Sequence, residues 1–145
     1  MSPQLRRALI GIGGAAAILI ALVWIEASLV NYLQSNQDAD PALLAWQYNL
    51  AQLIEWAGLA AIVLLGVAFR GWAVSAAYIA AGAYLAFRWP LWVTFRMQGD
   101  IAVFGWQSDA NRILEQAGYA LVVTGLVALV LVVRERRARR PAPPA

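Results

Sequence analysis

Four ionisable side chains lie within otherwise apolar stretches: Glu26, Glu55, Arg88 and Glu115. A charge at the centre of a bilayer-spanning helix costs roughly 2.5–3.5 kcal/mol, and such groups face a bundle interior where they pair, relay protons or hold ions. Three carboxylates and one guanidinium allow two kinds of chemistry. Arg88 can supply the countercharge to one or two carboxylates and so set the register of neighbouring helices. Alternatively, the carboxylate that Arg88 leaves unneutralised can bind a cation or relay a proton. Helical spacing puts Tyr48, Gln52, Glu55, Gly58 and Gly66 on one face, and Ser108, Asn111, Arg112, Glu115, Gly118 and Gly125 on another. Both faces change from polar to small residues, and small residues let helices approach closely in lipid. The two faces are therefore expected to meet along a bundle axis. Trp46, Gln47, Gln52, Trp106, Gln107, Asn111 and Arg112 would then form a polar and aromatic surround for the glutamates.

Other chemistry is removed by composition. The chain has no Cys and no His, and all of its basic residues are Arg. Thiolate or imidazole metal sites, His-ligated haem and the common Cys/His catalytic pairs are excluded; no metal and no cofactor is expected. Gly11-Ile12-Gly13-Gly14-Ala15-Ala16 matches the letters of a dinucleotide fingerprint, but no strand precedes it, so the βαβ context is missing and helix packing explains it better. Ser108, Asp109 and Asn111 form no hydrolase constellation.

The elements that must position these groups are membrane-spanning helices. Hydrophobic residues make up 62% of the chain and charged residues only 13%, against about 25% charged in soluble domains. One small core cannot take that surplus, which must face lipid or a partner. A helix needs about 20 mostly apolar residues to cross a bilayer, and residues 8–32, 43–69, 72–95 and 113–133 qualify. Arg6 and Arg7 before the first run also fit a secretory signal, but the run exceeds the usual signal core of roughly 7–15 residues. The connections sort by charge. Arg6, Arg7, Arg70 and five Arg after the fourth run fall on one side, while the acidic Asp38 and Asp40 and the mixed segment with Asp100 and Asp109 fall on the other. The positive-inside rule places both termini in the cytoplasm. At about 1.5 Å per residue, Glu26 stands roughly 28 Å above Arg7, Glu55 roughly 22 Å above Arg70, Arg88 roughly 27 Å above Arg70 and Glu115 roughly 28 Å above Arg134. The four charges thus share one level near the outer face. Six of the seven Trp residues fall towards that side, and only Trp72 marks the inner one.

A shift of sixty residues superposes two halves. Asp40-x-Ala, Trp46-Gln47 and Glu55-x-Ala57-Gly58-x-Ala60 lie over Asp100-x-Ala, Trp106-Gln107 and Glu115-x-Ala117-Gly118-x-Ala120. Two crossings separate the copies, so they run in the same direction, as parallel repeats do. The expected fold is all-α: a polytopic bundle of four transmembrane helices, built from two tandem like-oriented hairpins, 1–70 and 71–134. Asp40 and Pro41 form an N-cap and first-turn signal. A basic, Pro-rich cytoplasmic tail, 135–145, completes a single membrane domain.

Absent chemistry, short loops and an aromatic outer rim point first to a non-catalytic accessory, assembly or scaffolding subunit in a bacterial inner membrane. Its partners would be the lipid bilayer and other membrane subunits or further copies of itself. The basic cluster follows a span directly, so it reads as a cytoplasmic anchor, and no nucleic-acid partner is expected. A small oligomeric transporter or ion or proton conductor using the carboxylates is the alternative, and a lipid-modifying enzyme at the outer leaflet is third.

Overall fold

A computed structural model describes residues 2–35, 40–88 and 104–139. These residues are helical, with no strand among them: α1 (Pro3–Ser35), α2 (Pro41–Ala68), α3 (Trp72–Ala83, continued by the π-helical segment Tyr84–Arg88) and α4 (Phe104–Ala138). Three stretches, Pro3–Leu29, Pro41–Ala68 and Arg112–Ala138, are long and apolar enough to cross a membrane. The stretch Trp72–Phe87 is apolar but shorter. Residues 89–95 of the expected third span, with Trp89, Pro90 and Trp92, lie outside the described residues, as does the start of the second repeat at Asp100.

Local chemistry sets the helix ends. Ser2 accepts from the Leu5 N–H at 3.2 Å, and Pro3 takes the first helical position of α1, where a missing N–H costs nothing. The Asp40 and Pro41 start signal is realised: Asp40 Oδ1 accepts from the Ala42 N–H at 2.9 Å. Phe69, Arg70 and Gly71 then reverse the chain, and the Ser75 N–H donating to Gly71 O at 2.9 Å opens α3. The described part of α3 ends in the π-helical turn Tyr84–Arg88. Helix α4 extends beyond the expected span 113–133 at both ends. A span is bounded by apolarity, whereas the helix continues as long as its backbone pairs, here through Asn111 and Arg112 at one end and Glu135 at the other.

Helix α4 is the centre of the bundle. It packs most extensively against α3 and also touches α1 and α2, while α1 packs chiefly on α2 and α2 scarcely meets α3. The core is thin: Ala15, Ile62, Val74, Tyr78 and Leu121. Tyr78 fastens it, donating its hydroxyl towards Gly11 O at 3.1 Å and Ile62 O at 3.3 Å. Large apolar side chains point outward instead; Trp24 is 70% exposed and Leu64 69%. Such helices are apolar nearly all round, as membrane helices are.

The two polar-to-small faces meet in part, at Glu55 with Arg112 and at Gly66, while other glycines serve different neighbours. A Cβ on Gly82 would lie 2.6 Å from Gly118 O, and one on Gly118 would lie 2.6 Å from the Ala86 N, so the small face of α4 is pressed on the backbone of α3. Gly58 faces Leu22 of α1, and of these positions only Gly66 joins α2 to α4, at Thr124 beside Tyr78. Close backbone approach needs small residues on both partners. Helix α3 offers Ser75, Gly82 and Ala86, whereas α2 presents Leu59 and Ile62.

Candidate functional site: a carboxylate pair on one arginine

Glu26 of α1 and Glu55 of α2 come together at one arginine. Glu55 is 2% exposed and Glu26 6%. Between them stands Arg112 of α4, with Nη2 at 3.3 Å from Glu55 Oε2, to which it donates, and 3.6 Å from Glu26 Oε1. The guanidinium side chain is 37% exposed, so it links a buried carboxylate pair to the end of the bundle. Glu55 Oε1 is buried and has no hydrogen-bond partner among the described residues.

Arg112 thus supplies a countercharge to both carboxylates, the role that the sequence reading gives to Arg88. The backbone of Arg88 ends the π-helical segment of α3, and its side chain lies outside the described ones. Helix position alone underestimates Arg112, whose Cα stands about 33 Å above Arg134, roughly one turn higher than Glu26; a long side chain closes that gap. The useful signal was its place on the Glu115–Gly118 face of α4.

Glu115 is separate from this pair. It is half-buried and accepts a hydrogen bond from the Tyr119 hydroxyl at 3.3 Å, one turn along α4. Tyr119 in turn meets the edge of Phe87, with ring centroids 6.1 Å apart. The two glutamates related by the internal offset thus sit in unlike surroundings. On α2, Gln52 donates to the Tyr48 hydroxyl at 3.0 Å. Trp46 and Gln47 line a shallow apolar groove of about 310 Å³ between α1 and α2, beside Leu29, Tyr32 and Leu50. The side chains of Trp106, Gln107 and Asn111 lie outside the described ones. Sequence reasoning did not single out Gln116, one turn beyond Arg112, whose Oε1 is buried without a partner among the described residues.

Chemically, the constellation is an ion-paired clamp on three helices with one carboxylate oxygen in reserve. Among the described residues no group of three acidic, His or Cys side chains is placed to hold a metal. Below the clamp, Ile62, Ile113, Val74 and Leu121 fill the bundle with buried apolar side chains. Comparison with family models, with curated proteins and with solved structures finds no match to this chain.

Proposed function

We propose that this chain is a small integral membrane accessory subunit that assembles with or scaffolds a larger membrane complex, without catalysis of its own. In this reading four helices span a bacterial inner membrane as two like-oriented hairpins, with both termini in the cytoplasm. The observation that carries it is the use of the ionisable residues. Glu26, Arg112 and Glu55 fasten α1, α2 and α4 to one another, and a cluster of apolar side chains with Ala15, Ile62, Val74 and Leu121 lies beneath them. The aromatic outer rim, with Trp24, Trp46 and Trp56 exposed, is then available for lipid and for partner helices. The hairpin duplication is supported by one recurring contact: Leu22 on Gly58 corresponds, sixty residues on, to Gly82 on Gly118.

The bare Glu55 Oε1 supports a second reading, in which the clamp binds a proton or cation and several copies together form a conduction path. Replacing Glu55 and Glu115 by Gln, then measuring complex recovery in mild detergent and proton flux in liposomes, separates the two. The accessory reading expects no flux from the parent protein and a partner that co-purifies. Flux that is lost in the variants while assembly persists would overturn it.

A further inference from the structure

The opposite end of the bundle carries a second constellation. The start of α1, the α2–α3 turn and the last turns of α4 enclose an open cleft of about 430 Å³. Arg7, Arg70, Arg136 and Arg139 line it against a single acid, Glu135, a formal balance of +3. Two of the guanidinia are fixed: Arg70 donates through Nε to Glu135 at 2.9 Å and through Nη1 to Val67 O at 3.1 Å, and Arg136 lies 5.3 Å over the Trp72 ring. Arg7 and Arg139 carry no ion pair among the described residues.

The backbone adds to this field. No side chain caps the start of α3 at Gly71, so the first N–H groups of that helix lack intrahelical acceptors and favour an anion. A Cβ on Gly71 would meet nothing within 4 Å, so the approach is open. Deeper in, the walls turn apolar at Ala8, Phe69, Val74 and Val132.

From this juxtaposition we infer that the cleft between the termini and the α2–α3 turn is a binding site for the headgroup of an anionic glycerophospholipid. The phosphodiester lies among Arg7, Arg136 and Arg139 while the glycerol and first acyl carbons descend along Phe69 and Val132. Basic pockets between helices on the cytoplasmic side recognise such headgroups, and guanidinium forks match phosphate oxygens in pairs. A zwitterionic headgroup brings an ammonium that the four arginines repel. Free phosphate would use the rim but not the apolar walls, which is why the lipid is favoured. The inference rests on the membrane placement proposed above and not on the accessory role.

The test titrates the purified full chain in neutral detergent with phosphatidylglycerol and counts bound lipid by native mass spectrometry; this needs no particular orientation in a bilayer. Binding of phosphatidylglycerol over phosphatidylcholine is expected. Replacing Arg7, Arg136 and Arg139 together by Gln should weaken it roughly a hundredfold, at about fivefold per arginine. Replacing Arg6, Arg134 and Arg137, which remove the same charge but do not line the cleft, should cost less than about tenfold because screening is strong beyond about 10 Å. Should the cleft triple variant fail to fold, the Arg7→Gln, Arg139→Gln pair removes only unpaired guanidinia and should still weaken binding more than the Arg6→Gln, Arg137→Gln pair. Equal losses in cleft and control variants, equal retention of phosphatidylcholine, or displacement of the lipid by equimolar inorganic phosphate would each overturn the inference.

Discussion

Arg112 is one residue on which three helices depend. Removing one partner of a buried ion pair is costly because the remaining charge is stranded without water. Here the group most affected would be Glu55, deeply buried and with its other oxygen unpartnered among the described residues, although the partial exposure of Arg112 lets solvent soften the effect. Arg112→Gln is expected to destabilise the protein by about 1–3 kcal/mol, short of the 3–5 kcal/mol of a fully buried pair, read as a fall in the thermal unfolding midpoint in detergent. Adding Glu55→Gln and Glu26→Gln to that variant should restore much of the loss, since the stranded charges are then gone. If the triple variant is no more stable than Arg112→Gln alone, the clamp is not what holds these helices.

At the scale of the element, glycine decides which helices pair. Gly82 and Gly118 leave no room for a methyl group, because the nearest atoms are backbone and cannot rotate away. Gly118→Val should therefore push α3 from α4 and cost about 1–3 kcal/mol, the usual price of overpacking. Gly13 is the internal control: a Cβ there meets nothing within 4 Å. Gly13→Ala should be neutral or stabilising by up to about 1 kcal/mol through helix propensity alone. A Gly118→Val variant as stable as Gly13→Ala, measured by unfolding in detergent, would show that approach distance does not govern the pair. The π-helical turn Tyr84–Arg88 lies beside this contact and changes the direction of the side chains that follow Ala83.

At the scale of the whole molecule, charge separates the two ends. Arg7, Arg70, Arg136 and Arg139 gather at one end around the cleft, and the Glu26–Arg112–Glu55 clamp stands towards the other. In the proposed membrane placement, the positive-inside rule would put the arginine-rich end in the cytoplasm. Because the chain has no Cys, single-cysteine variants report sidedness without background. Ser2→Cys and Ala142→Cys should both be labelled from the cytoplasmic side by a membrane-impermeant maleimide, and Gln37→Cys from the opposite side. Labelling of Ser2 and Ala142 from opposite faces would mean an odd number of crossings and would end the two-hairpin reading.

The helices and the start at Asp40 and Pro41 were legible in the amino-acid sequence, because they follow from local periodicity and capping chemistry. So was the gathering of the arginine-bearing ends, since alternate connections of a helical bundle must share a side. Partner choice was not legible. Which of two arginines meets the carboxylates depends on helix rotation and side-chain reach, and which face a glycine serves depends on what the neighbouring helix presents. Those relations are non-local. Tertiary packing alone assigned Arg112 to Glu26 and Glu55, pressed Gly118 against Ala86, and set Glu115 apart with Tyr119.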